Sequence, residues 1–357
     1  MNNNIITTRV NYVLIGFGAL FFAALVDATE KGWEVGTRML PNPAGSSEEL
    51  RKSIAATPQP DVKRSKMFLQ NTDATDWENL KALRAASRGK AALQLAENLK
   101  VAVERQDIND VTVRRITPQE IDPKFKDAVF LYLHGGAYVF GGGDASIGEA
   151  AIIANSAKIS VISVDYRMPP TSPFPAAVDD VVTVYRHLLK TVPAQAIAIG
   201  GTSAGGGLAL SAVHKFISLG LPTPSAIYAG TPWADLTKTG DSLFTNEGID
   251  RVLVTYDGSL GAAAQLYAAG HDMKDPLISP VYGDFVGFPP TYFVTGTRDM
   301  FLSDTSRVHR KLRTAGIVAE LNVYEGMSHA GYAFNLRSPE SKQVYSELRN
   351  FLVAHLE

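Results

Sequence analysis

The stretch from Ala196 to Leu210 constrains this chain more than any other. Ala196-Ile197-Ala198-Ile199 runs into Gly200-Gly201-Thr202-Ser203-Ala204-Gly205-Gly206-Gly207, and Leu208-Ala209-Leu210 continues in helix-forming residues. A short apolar run bounded by glycines reads as a buried strand, followed by a tight turn that opens a helix. A serine at the apex of such a turn is held in a strained conformation with its hydroxyl above the sheet. Gly201 and Gly205 are required because side chains there would meet the neighbouring strand and helix. The amide of Ala204 then lies at a helix N-terminus, where unpaired N–H groups and the helix dipole favour developing negative charge. A phosphate-binding loop is also glycine-rich, but its Lys-Ser/Thr is absent here and the dinucleotide fingerprint is met only loosely. Ser203 is therefore the candidate nucleophile.

The surrounding chain alternates strand and helix. Strands are expected at Val111–Val113, Ala128–Leu133, Ser160–Tyr166, Ala196–Ile199, Ala226–Ala229, Tyr292–Thr295 and Glu320–Tyr324. Helices are expected at Ile147–Ala157, Ala176–Lys190, Ala204–Leu219, Ser303–Ala315 and Pro339–His355, which makes an α/β fold with a mostly parallel central sheet covered on both faces. Before Asp110 the pattern is helical: Ser46-Ser47-Glu48-Glu49 offers capping side chains, and Asp73 to Arg105 carries apolar residues at three- and four-residue spacing. The expected division is a leader at 1–28, a helical segment at 29–109 and a catalytic domain at 110–357. Within the last, 233–267 interrupts the alternation as a pocket wall or lid.

A serine hydroxyl attacks only when an imidazole takes its proton, and the imidazole needs a carboxylate to orient it. His187, His214, His309 and His355 fall in expected helices and His271 in a connecting segment. His329 instead follows the strand ending at Tyr324, at the carboxyl end of the sheet where such folds place their chemistry. Asp299 follows the strand Tyr292–Thr295 in the same way, and the chain order Ser203, Asp299, His329 is the one a hydrolase sheet requires. Asp304 competes for the acid role but lies in the next helix. After Leu131-Tyr132-Leu133 comes His134-Gly135-Gly136-Ala137, whose bare amides at Gly135, Gly136 and Ala137, with that of Ala204, are the expected donors to an oxyanion. His134 is expected to anchor this loop, and Tyr138 and Phe140 to line the entrance.

With Lys+Arg 34 against Asp+Glu 36 and a net charge of −2, nothing in the charge balance attracts nucleic acid or an anionic membrane. The absence of cysteine excludes disulfides, a thiol nucleophile and thiolate metal sites. No metal or organic cofactor is called for. Arg9, the apolar run Tyr12–Val26 and the small residues around Ala28 read as a signal peptide, so export to the periplasm or medium is expected. A membrane anchor and a buried helix of a cytoplasmic protein are the alternatives. The run of about 15 residues spans roughly 22 Å as a helix, short of the roughly 30 Å hydrocarbon core.

The four blocks His134-Gly135-Gly136, Asp165-Tyr166-Arg167 with Pro173-Phe174-Pro175-Ala176-Ala177, Gly201 to Gly205, and the Asp299 and His329 loops resemble the bacterial hormone-sensitive-lipase-like (family IV) esterases of the α/β-hydrolase fold. The serine motif resembles the subgroup that reads Gly-Thr-Ser-Ala-Gly, while Ala137 stands where the family usually has a third glycine. The resemblance implies an N-terminal helical cap over the segment before Asp110 and hydrolysis of short- to medium-chain carboxylic esters. It also implies structural roles for Asp165 and Arg167. The expected partner is a small-molecule ester, and the chain is compatible with a homodimer. An amidase or acyltransferase on the same three residues, and a non-catalytic ligand-binding protein on the same fold, are the competing functions.

Overall fold

The computed structural model describes residues 35–67 and 74–356. Residues up to Pro41 form one unit, in which 35–41 carry no regular secondary structure, and Asn42–Glu357 form a second. The expected leader, 1–28, lies outside the described residues.

The second unit is built on eight strands: β1 (Ala102–Ile108), β2 (Val111–Thr117), β3 (Val129–Leu133), β4 (Ser160–Val164), β5 (Ile197–Thr202), β6 (Ala226–Gly230), β7 (Thr291–Gly296) and β8 (Ala319–Tyr324). They form one sheet in the order β1-β2-β4-β3-β5-β6-β7-β8. β2 pairs antiparallel with β1 and with β4, and the other pairings are parallel. Every residue of β3, β5, β6 and β7 is buried, which is why these strands read as unbroken apolar runs. Helices Ala176–Leu188, Ala204–Ser218 and Leu302–Thr314 cover one face, and Ile147–Ala157 and Pro339–His355 the other.

This order decides where a ligand can enter. The chain passes from β3 to β4 on one side and then crosses to β5 on the other side of β3. The loops leaving the carboxyl ends of β3 and β5 therefore diverge and leave a crevice between them. His134–Ala137 and Ser203 stand on those two loops.

One expectation is corrected at the N-terminal side. The helical pattern reads through Arg105, but the helix Ala74–Asn98 stops there and β1 begins at Ala102. Lys100 turns left-handed at φ 54°, and the amide of Val101 donates back to Ala96 O at 3.1 Å. Asn109 and Asp110, at φ 46° and 67°, then form a two-residue turn that pairs Ile108 with Val111. The sheet thus starts before the expected boundary at 110.

Among the described residues, three helices precede it, Glu48–Ala55, Val62–Met67 and Ala74–Asn98. Ser47 Oγ caps the first by accepting from Leu50 N, and Ser47 donates from both N and Oγ to Glu340 at 2.7 Å. Ser46 Oγ donates to Glu325 O at 2.6 Å, so the start of this unit is tied to its last helix and last strand loop. The long helix packs through Ala92 and Ala96 onto Ile147–Ala157. Among the described residues, no helix is long and apolar enough to cross a membrane.

Candidate active site

β5 runs without interruption to Thr202, and Ser203 turns the chain into the helix with φ 63° and ψ −124°. That is a sparsely allowed region for a residue with a side chain. The neighbours hold it: Ser203 N donates to Gly230 O at 2.8 Å, while Ser203 O accepts from Gly207 N and Trp233 N, each at 3.0 Å. A Cβ at Gly201 or at Gly205 would collide with the Leu133 carbonyl, so β3, the turn and the helix approach closely only because both positions are glycine.

The three residues nominated from the spacing meet here. Ser203 Oγ and His329 Nε2 are 2.9 Å apart, and His329 Nδ1 and Asp299 Oδ1 are 3.1 Å apart. All three are buried, with Asp299 and His329 almost wholly removed from solvent. Asp299 accepts from Phe301 N at 2.8 Å on Oδ1, and from Thr295 Oγ1 at 2.9 Å and Thr231 Oγ1 on Oδ2. Thr231 Oγ1 also stands 3.0 Å from His329 Nδ1. Burial disfavours the imidazolium of His329, but the charge and hydrogen bond of Asp299, with a further contribution from Asp250, outweigh it and hold the group above its ordinary 6.5.

Asp304, the competing acid, does not reach the imidazole. Its Oδ2 accepts from Ala234 N at 3.0 Å and Asp235 N at 2.9 Å, so it braces the loop leaving β6. Burial pushes it well above the usual carboxylate range.

Asp250, within the 233–267 interruption, is fully buried beside the acid loop. It accepts from Met300 N at 2.9 Å and more weakly from His329 N at 3.4 Å on Oδ2, and from Val252 N at 2.9 Å on Oδ1. Burial and then the nearby Asp299 push it up to about 6. Asn246 Nδ2 donates to Asp299 O at 2.8 Å. Sequence reasoning missed Thr231, Asn246 and Asp250. Thr231 had a usable signal, a hydroxyl directly after a buried parallel strand, whereas the other two lie in a segment without periodicity.

The amides of Gly135, Gly136, Ala137 and Ala204 donate to no protein acceptor among the described residues. Gly136 has φ 127°, where a Cβ would strike the Phe140 carbonyl; Ala137 follows at φ 55°, left-handed although it is not glycine. The loop closes through Phe140 N donating to Gly136 O at 2.8 Å. His134 anchors it from beneath: its ring stacks on Tyr166 at 4.1 Å, and Tyr166 OH donates to His134 O at 2.7 Å. Asp165 accepts from Gly143 N at 2.8 Å and pairs with Arg114, which braces the end of this loop, while Arg167 pairs with Asp180 and ties the chain after β4 to the helix Ala176–Leu188.

Ser203 and His329 open onto a cavity of about 730 Å³. Its walls include Arg84 and Arg88 from the long N-terminal helix, Phe140, Glu149, and Val252 and Leu253 from the 233–267 stretch. Tyr138, expected at the entrance, is instead buried and stacked on Tyr267 at 4.1 Å, because its left-handed backbone (φ 61°) turns it into the core. Glu149 sits behind the nucleophile turn. Thr202 Oγ1 donates to its Oε1 at 2.7 Å, as does Tyr228 OH at 2.9 Å, and Tyr132 OH donates to Oε2 at 2.8 Å. Burial raises its carboxyl above the usual value against these hydrogen bonds.

A serine on a strand–turn–helix elbow of a mostly parallel sheet, with a histidine and an acid from later strand ends, defines the α/β-hydrolase class. The α/β-hydrolase fold family model matches residues 130–333. The chain is 34% identical over 244 residues to an acetyl-hydrolase of Streptomyces hygroscopicus, covering 68% of this chain and 81% of that one. The solved structure of an esterase, E25, superposes with a TM-score of 0.89 at 47% identity, covering 91% of this chain and 99% of that one. An esterase described as a member of the bacterial hormone-sensitive lipase family superposes with a TM-score of 0.75 at 31% identity over 87% and 99% of the two chains. The chain belongs to the α/β-hydrolase family, among the bacterial hormone-sensitive-lipase-like hydrolases.

Proposed function

We propose that this protein is a serine carboxylesterase acting on short- to medium-chain esters. The observation that carries the reading is the 2.9 Å contact between Ser203 Oγ and His329 Nε2 at a strained turn that faces free backbone amides. Ser203 attacks the ester carbonyl while His329 takes its proton, and Asp299 orients and stabilises the imidazolium. The amides of Gly136, Ala137 and Ala204, with Gly135 in support, receive the negative charge on the carbonyl oxygen. His329 returns the proton to the departing alcohol, leaving an acyl group on Ser203. Water then adds, with His329 again as base, and releases the acid. The esterase names of the relatives support the reaction class, and the serine motif supports a place in the Gly-Thr-Ser-Ala-Gly subgroup.

The test is turnover of p-nitrophenyl acetate through decanoate, beside labelling by a fluorophosphonate. Label on Ser203, turnover that falls beyond medium chains, and loss of at least about 10³-fold in kcat in Ser203→Ala are expected. Faster release of p-nitroaniline from the matching anilide would move the assignment to an amidase. An unlabelled, folded protein would overturn catalysis by Ser203. Export through residues 1–28 belongs to the same proposal, supported by their charge and apolar pattern, and N-terminal sequencing of the protein from its host reads it. Monomer or homodimer is read by sedimentation.

A further inference from the structure

We infer that Arg84 and Arg88 form a subsite for an anionic group of the substrate, so that esters carrying a carboxylate away from the scissile bond are preferred; this rests on the esterase reading. The two residues stand one turn apart on the helix Ala74–Asn98, and both line the cavity that holds Ser203 and His329. The Arg84 guanidinium lies over the Phe140 ring at 4.1 Å, and Phe140 packs against Trp77 at 5.8 Å. Its plane is thus set by aromatic packing beside the loop of free amides, which leaves its N–H edge for a ligand.

Three other partly buried arginines are neutralised by carboxylates. Arg114 pairs with Asp144 and Asp165, Arg307 with Asp235, and Arg349 with Asp122. Among the described residues, neither Arg84 nor Arg88 has an acidic partner. The one carboxylate among the described residues lining the cavity, Glu149, is taken up by hydroxyls and is raised toward its neutral form by burial. Burial, and next the charge of Arg88, pull Arg84 below its ordinary value, and the attraction of an incoming anion would act against both. Two guanidinium groups on one wall, with no acidic partner among the described residues, focus a positive field into a cavity otherwise largely apolar. The planar fork of arginine suits a carboxylate in particular.

The experiment pairs esters of equal length. Turnover of mono-p-nitrophenyl adipate is compared with that of p-nitrophenyl hexanoate, and 4-acetoxybenzoate with phenyl acetate, in wild type, Arg88→Gln and the Arg84→Gln/Arg88→Gln double variant. The anionic-to-neutral ratio of kcat/KM is expected to fall about tenfold in the double variant, chiefly through KM, and to fall in wild type as salt rises. The pair in which the ratio moves tells whether the subsite serves the acyl or the alcohol side. An unchanged ratio, or equal losses on both members of each pair, would overturn the subsite. Arg88→Gln alters an exposed side chain, so the comparison survives if the double variant folds poorly. Calorimetric titration of adipate separates the two readings. Adipate bound by wild type and not by the double variant supports the subsite even if no ester turns over, and adipate bound by neither overturns it.

Discussion

Asp250 reaches the imidazole's surroundings from a segment with no motif, and its charge is one of the causes that keep His329 above 6.5. His329 must be neutral to accept a proton, so kcat/KM should fall as pH drops through a midpoint above 6.5. Asp250→Asn removes one charge that favours the imidazolium, and the midpoint should move to lower pH by a few tenths to about one unit. A pH profile with p-nitrophenyl butyrate reads this, and an unmoved midpoint would show that His329 does not feel the charge. Thr231→Val removes a hydroxyl shared by Asp299 and His329. It should lower kcat about tenfold while KM holds, as stopped-flow and steady-state assays would show. Ser203, Asp299 and His329 were legible because each follows a strand at the sheet's carboxyl end. Asp250 was not, since what makes it a neighbour of the triad is a chain reversal of 233–267 that leaves no periodic trace.

At the level of elements, legibility followed burial. β3, β5, β6 and β7 are buried throughout and read as apolar runs, and the helices Ile147–Ala157 and Pro339–His355 match their expected bounds. β1 escaped because Ala-Val-Glu-Arg-Gln-Asp-Ile on a mostly exposed strand is composed largely of residues that also suit a helix. Its hairpin turn at Asn109-Asp110 was the available signal. The helix Ala204–Ser218 carries His214, whose ring lies against Phe285 and Phe288 with Nε2 3.1 Å from Pro280 O. Burial lowers its pKa to about 4. A lowered histidine binds its proton more readily once unfolded. Stability should therefore be lost as pH falls from about 6.5 toward 4, by no more than about 3 kcal/mol from this group. His214→Gln should flatten that part of a denaturation series run across the same pH range. On the same helix, Gly205→Ala would drive a methyl into the Leu133 carbonyl. A loss of at least about 2 kcal/mol in urea melts is expected.

Over the whole molecule, the N-terminal helices do more than cover the sheet. Arg251, next to Asp250, donates to Ser53 O at 2.9 Å and Thr57 Oγ1 at 3.0 Å, while its own amide approaches Ser328 Oγ at 3.3 Å. Ser47 and Ser46 are held by Glu340 and Glu325 at the other end of the chain. Deleting residues 42–57 should therefore lower the melting temperature and also reduce kcat, because the loop bearing His329 loses a support. A truncation with unaltered kcat would show that the loop stands alone. These long-range ties were illegible in the sequence, as the partners are separated by most of the chain.

The hairpin at the start of the sheet has one more effect. Among the described residues β1 is an outer strand with an unpaired side, a form that invites another chain to add a strand. Glu104, Arg105 and Asp107 are exposed along it. An incoming backbone would have to strip water from charges of both signs, and this border thereby guards the folded protein against runaway β-stacking into aggregates.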